Sequence, residues 1–314
     1  MQEEVVMKKE RKPINQRALS RLLFYISIVT LPILQLSIFY VYINFNSIKI
    51  AFFTYKTSVT SGNAEGTWAG LTHFIEAWEV LSGKLYFIRN SATMWLSSLI
   101  FATPLQFLFS FYIAKKYPGA GFFKVVLFLP QVVSGLVFAI LYKYMVTDVY
   151  TAVVQALTGE EVFGLLDNPD TEFPAVVVYS IWIGFGTGML MYSNAISAIP
   201  GEVIESAHLD GANLLQEFIY ITFPSIWPTY SSMFLIGVTG ILMNQGGLHA
   251  MFGTGAMHIG TIAYYIFVEA ERMTEGMSNN YSMISAMGLL LSCVLIPMTL
   301  FTKWAMRRFG PSED

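Results

Sequence analysis

The chain has 314 residues, of which 54% are hydrophobic and only 12% charged, with a mean hydropathy of +0.54. A soluble domain carries about twice that charged fraction, so composition excludes an ordinary water-soluble enzyme. The net charge of −3 selects no partner, and a single cysteine, Cys293, inside an apolar run excludes a disulfide framework or a Cys-based metal site.

The apolar residues gather in runs of about 20, the length that crosses a hydrocarbon core of about 30 Å. They do not alternate as the strands of a membrane barrel do. Residues 1–21 form a basic arm with Lys8, Lys9, Arg11, Lys12, Arg17 and Arg21. The first span is expected at Leu22–Ile43; it is too long for a signal peptide, and no small-residue cleavage site follows. Five more are expected at Asn90–Ile113, Phe122–Val146, Pro174–Ala195, Ser225–Met243 and Tyr281–Lys303. The expected fold class is thus an all-α integral membrane protein of six transmembrane helices, with one transmembrane domain over 22–305 and a tail over 306–314.

Lys and Arg set the orientation. The arm, the loop after the second span (Lys115, Lys116, Lys124) and the tail (Lys303, Arg307, Arg308) hold twelve of the 18. Lys49, Lys56, Lys84, Arg89, Lys143 and Arg272 lie on the other side. Both termini are therefore expected in the cytoplasm. The outer side receives the long polar stretches Asn44–Arg89, Thr147–Phe173 and Asn244–Asn280. Acids among them, Glu160, Glu161, Asp167, Asp170, Glu172, Glu269, Glu271 and Glu275, form either a docking face or solvated loops.

Lys124, Lys143 and Lys303, all near span ends, are the only Lys, Arg, His, Asp or Glu inside the expected spans. Ion-coupled transporters usually need carboxylates or histidines there, so energy for uphill movement is expected from another subunit. The four histidines show no metal-ligand spacing, and there is no Walker-type Gly-Lys-Ser/Thr loop. "GFGTG" at Gly184–Gly188 falls in mid-span with no strand before it, which points to close helix packing. Ser282, Ser285, Ala286 and Gly288 offer small residues for packing a second subunit against the last span.

The segment Ile196–Phe223 faces the cytoplasm without one Lys or Arg. A helical wheel over Glu202–Leu209 puts Val203, Ile204 and Ala207 on one face and Glu202, Glu205 and Ser206 on the other. Two turns are marginal alone in water, so this helix has to lie against something. Asp210-Gly211 is a natural stop, and Asn213 with Gln216 can cap a second short helix. The outcome is a helix-turn-helix elbow.

Ala198–Pro228, "AIPGEVIESAHLDGANLLQEFIYITFPSIWP", resembles the EAA loop of binding-protein-dependent ATP-binding-cassette importer permeases of the carbohydrate-uptake group. The matching positions are Ile199-Pro200, Glu205-Ser206-Ala207, Asp210-Gly211-Ala212, Phe218, Ile221 and Phe223-Pro224. Ser206 stands where that family has Ala, and Phe223 where it has Leu. "PLQFLFSFYIAKKYPGAGFFKVVLFLPQVVSGLVFAILYKYMV", "SIWIGFGTGMLMYSNAISAIP", "NQGGLHAMF" (Leu248 where Pro is usual) and "YSMISAMGLLLS" are also similar to the family; the first sixty residues match more loosely.

The resemblance implies a type I importer permease fold in a prokaryotic cell membrane, with the elbow as the helix that docks on an ATPase. Glu205 would form a salt bridge there, Ala207 the tight packing and Gly211 the turn, with Val203, Ile204, Ser206 and Asp210 beside them. It implies a second homologous permease, two ATPase copies that bind ATP and Mg, an extracellular substrate-binding protein and a sugar substrate. It implies no cofactor on this chain, no catalytic residue and no nucleic acid; membrane lipid surrounds it. A sugar path needs hydrogen-bonding side chains and aromatic faces. Candidates are Gln106, Gln131, Tyr179, Trp182, Tyr192, Asn194, Asn244 and Gln245, each with interhelical bonding or an interfacial belt as its alternative role. The competing readings are a permease for a sugar phosphate or uronate oligomer, a polytopic sensor or enzyme, and a self-sufficient secondary transporter.

Overall fold

A computed structural model describes residues 16–57, 64–274 and 280–311. The expected basic arm before Gln16 and Glu275 lie outside the described residues. Helices make the body, because in a bilayer each backbone N–H and C=O has to be satisfied within its own segment. The chain runs α1 (Ser20–Phe52), β1 (Phe53–Thr57), β2 (Ala64–Trp68), α2 (Thr72–Gly83), α3 (Leu85–Ala114), α4 (Ala120–Val132), α5 (Gly135–Thr158) and α6 (Pro169–Ser197). Then come α7 (Gly201–Leu209), α8 (Leu214–Glu217), α9 (Trp227–Gly240), α10 (Ile262–Thr274) and α11 (Tyr281–Phe309).

Five of these, α1, α3, α5, α6 and α11, are long and apolar enough to cross a membrane. The expected third span, Phe122–Val146, is not one helix. It breaks after Val132, where Val133 is extended (φ −78°, ψ 145°), between Pro130 and Gly135. Tyr179 of α6 donates its hydroxyl to the Gly135 carbonyl there (3.2 Å). The expected fifth span, Ser225–Met243, is the 14-residue α9, about 21 Å long. The backbone widens into π turns at Ser98–Ala102 and Phe218–Thr222. Each lies just ahead of a proline, Pro104 or Pro224, whose ring crowds the carbonyl four residues back and removes a donor. Outside the spans β1 and β2 pair antiparallel, with Phe53 opposite Trp68.

The body is organised on α6. Asn168 caps it by accepting from the Asp170 N–H (3.0 Å), and Pro169 fills the first helical position. Two buried side chains of α3 bond across to its backbone: Gln106 to the Phe185 carbonyl (3.3 Å) and Ser110 to the Met189 carbonyl (2.7 Å). On another side α4 crosses at Gly186, where a Cβ would lie 2.8 Å from the Leu127 carbonyl oxygen and 2.9 Å from Phe128 Cα. The glycine run in mid-span is thus a close crossing.

Two of the small residues opening α11 turn inward: Ser282 donates to the Phe53 carbonyl (2.6 Å) and Ala286 is fully buried among Ala51, Phe87 and Met287, whereas Ser285 is half-buried and Gly288 has open space around it. Three of the expected outer acids are likewise engaged, Glu172 with His258 (2.7 Å), Glu271 with His249 (2.9 Å) and Glu269 with Arg272 (3.0 Å). Glu160, Glu161, Asp167 and Asp170 remain exposed. By contrast, the most apolar stretch of α1 buries none of its residues in this chain.

Gly186→Val is expected to force α4 and α6 apart and destabilise the protein by about 1–3 kcal/mol, read as a lower melting temperature in detergent. Gly184→Ala, with open space around the added carbon, is expected to leave it unchanged.

Candidate functional site

Two features stand out at and above one end of the body. The first is the elbow. Of the nine residues of α7 only Ala207 is buried; Ile204 is half-buried, and Glu202, Val203, Glu205 and Ser206 are exposed. Val203 therefore does not share the packed face that the helical wheel gave it. Asp210 ends α7 and Gly211 turns the chain with φ +83°, a left-handed conformation that suits glycine. A reciprocal capping box then starts α8: Asn213 Oδ1 accepts from the Gln216 N–H, and Gln216 Oε1 from the Asn213 N–H, both at 2.9 Å.

Sequence reasoning missed what fastens this elbow. Glu217, at the end of α8, is fully buried, with Lys115 Nζ 2.5 Å from Oε1 and His208 Nε2 2.9 Å from Oε2. Lys115 ends α3 and His208 belongs to the last turn of α7, so one carboxylate joins three elements. Burial pushes that carboxyl up, but the hydrogen bonds and charges of Lys115 and His208 outweigh it and hold the group below the usual glutamate range. The signal available was an acid set among apolar residues in "LLQEFIYITF", in a segment with no cation of its own.

The second feature is a groove of about 360 Å³ between α3, α6 and α9, open along one side. Trp95, Ser98, Thr103 and Gln106 line it from α3, Thr187, Gly188 and Tyr192 from α6, and Tyr230, Phe234 and Gly237 from α9. Ser98 lies in the π turn ahead of Pro104. Gly188 leaves room for Gln106, whose side chain would lie within 2.6 Å of an added Cβ. Among the described residues no charged side chain lines the groove. Among the described residues no group of three or more His, Cys, Asp or Glu side chains could hold a metal ion.

The expected path residues separate. Gln106 and Tyr192 share the groove. Tyr179 and Trp182 belong instead to an aromatic cluster with Phe138 and Tyr142, next to the break between α4 and α5. Gln131 is half-buried just before that break. Asn244 shapes the turn after α9, accepting from the Gly246 N–H (2.8 Å) and donating to Ser180 (3.2 Å), with Gln245 beside it. Asn194 is exposed near Lys116 and Lys124 at the elbow end.

An aromatic hub links the two features. The Phe107 ring lies 4.5 Å from Tyr192 and 5.6 Å from Tyr230 in the groove wall, and 6.3 Å from Phe218 and 5.7 Å from Phe223 behind the elbow.

Residues 16–313 match the family described as binding-protein-dependent transport system inner membrane component. The chain belongs to this family. The maltodextrin transport system permease protein MalC of Streptococcus pneumoniae serotype 4 is 27% identical over 291 residues, covering 85% of this chain and 65% of MalC. The chain thus spans slightly less than two thirds of that relative. Among solved structures, a bacterial ABC transporter involved in the import of the acidic polysaccharide alginate superposes with a TM-score of 0.74 at 21% identity, covering 94% of this chain and 98% of its counterpart. The alginate transporter in complex with its alginate pentasaccharide-bound periplasmic protein gives 0.72 at 22%, over 91% and 94%. At these identities the likeness establishes a shared fold: the chain has the type I ABC importer permease architecture. It is a transport component of the inner membrane, not an enzyme.

The lowered Glu217 carboxyl fixes the sign of a pH effect. A depressed folded value contributes stability above the ordinary glutamate value of about 4.3 and loses it as pH falls through the folded value. Hydrogen-exchange protection of residues 201–217, corrected for intrinsic rates, is expected to be lost on the acid side of the ordinary glutamate value and not above it.

Proposed function

We propose that this chain is one of two permease subunits of an ATP-driven importer for a neutral oligosaccharide, and that α7 is its contact with the ATPase. The observation that carries the reading is α7 itself. It is a two-turn helix with eight of nine residues unburied, and it is fastened at its base by a buried charge cluster. Exposed Glu205 and Ser206 then face outward for a partner, and a carboxylate at a partly desolvated interface fixes orientation and register. The ATP and Mg belong to that partner. In this reading the elbow and both termini are cytoplasmic.

The rest of the assembly follows from what is left uncovered. The open side of the groove and the uncovered length of α1 support a second, homologous permease that completes the path, with two ATPase copies below. Exposed Glu160, Glu161, Asp167 and Asp170 at the opposite end support docking of an extracellular substrate-binding protein. The groove combines Gln106, Thr103 and Thr187 with the rings of Trp95, Tyr192 and Tyr230, a mixture suited to sugar hydroxyls and ring faces. Among the described residues no cation lines it, and Lys143 donates elsewhere, to the Met251 carbonyl (2.8 Å). A neutral substrate therefore fits better than an alginate-like polyanion or a sugar phosphate.

In the reconstituted transporter, Glu205→Lys and Gly211→Pro are each expected to abolish sugar uptake while membrane level stays at that of the parent. The proline fixes φ near −65° where the turn needs +83°. Uptake at the parent rate in both variants would refute the ATPase contact. Gln106→Leu is expected to raise the half-saturating sugar concentration about threefold to tenfold, measured as uptake at saturating binding protein.

A further inference from the structure

The joint between α7 and the body is built unusually. Ala207 is the one buried residue of α7, and the Ala212 N–H bonds back to the Ala207 carbonyl (2.9 Å) within the elbow itself. Apolar packing thus holds this helix weakly, and what spans the gap to α3 is the fully buried Glu217 between Lys115 and His208. A buried ion pair is often no more stabilising than apolar residues of the same volume, whereas removing one partner is strongly destabilising. Such a cluster earns its place by enforcing one register.

The position of Lys115 is also constrained. It closes α3, where a cation complements the helix dipole, and its ammonium lies 5.5 Å from the centre of the Phe111 ring. The next residue, Lys116, turns the chain with φ +54°, a conformation uncommon for a residue other than glycine. One turn further into α3, Phe111 meets Phe218 edge-on at 5.5 Å, and Phe107 touches both the elbow and the groove wall. The path from α7 to the groove is therefore continuous: His208, Glu217, Lys115, Phe111, Phe218, Phe107, Tyr192.

We propose that Glu217, clasped by Lys115 and His208, is the positioning residue through which displacement of α7 is carried to α3 and hence to the groove. The proposal rests on the reading of α7 as the ATPase contact. Glu217 touches neither substrate nor nucleotide; it acts by making the elbow and the end of α3 move as one piece.

The test uses the complete transporter in proteoliposomes with binding protein and sugar. Glu217→Gln keeps the shape and removes the charge. The ATPase is expected to co-purify in parent amounts, and sugar moved per ATP hydrolysed is expected to fall about threefold to thirtyfold at an unchanged half-saturating sugar concentration. Lys115→Glu is expected to do the same, and the exchange Lys115→Glu with Glu217→Lys to restore the ratio to within about twofold of the parent. A role limited to stability would lower the amount of complex and leave that ratio alone. A parent-level ratio in Glu217→Gln overturns the proposal, as does an exchange variant that melts and assembles like the parent yet stays uncoupled. If Glu217→Gln does not accumulate, His208→Gln reads the same clasp from its half-exposed side: a drop of about twofold supports it, and no drop overturns it. Glu205→Lys separates the two readings. If that variant transports normally, the ATPase contact is wrong and this proposal falls with it. If it is inactive while Glu217→Gln is coupled, only the clasp is wrong.

Discussion

The close crossing of α3 and α4 on α6 is the constraint on which the rest of the structure depends. Lipid tails offer no hydrophobic drive to bring helices together, so association relies on backbone approach and interhelical hydrogen bonds. Gly186 supplies the approach and Gln106 and Ser110 supply the bonds. With those three elements fixed, the groove lies where α9 stands off from them, and its lining is set by which faces of α3 and α6 remain uncovered. The π turn at Ser98–Ala102 widens α3 at that level and presents Ser98 to the groove.

The same frame gives the elbow its character. Lys115 is the last point of α3, and the frame holds it rigid. Glu217 is brought to it by α8, and His208 by the end of α7. A carboxylate excluded from water and held by a lysine and a histidine is directional in a way that apolar packing is not, because rotating any one of the three elements breaks a short contact. Soft contacts with lipid or solvent therefore surround a stiff charged joint.

Much of this was legible in the residues. The elbow, its left-handed Gly211 and its capping box follow from local chemistry, since each needs only neighbours within four positions. The glycine run at Gly184–Gly188 was legible as helix packing for a similar reason: a bare backbone in a membrane helix invites close approach. What was hidden involves partners distant in sequence. Glu217 pairs with a lysine about a hundred positions earlier, and Ser282 bonds to Phe53, so neither environment leaves a periodic trace. The break after Val132 and the short α9 escaped because continuous hydropathy does not register where the backbone stops being helical. The path candidates scattered for the same reason: residue type indicates what could touch a sugar, but the helix crossings decide which of those side chains share one space.

The bare length of α1 has a consequence for how the molecule is held together. Only its closing turns, near Ala51, touch the body, so the remainder belongs energetically to its surroundings and not to this polypeptide. Within this polypeptide the helix is anchored at one end alone, so its cohesion along the rest of its length is left to the hydrocarbon around it.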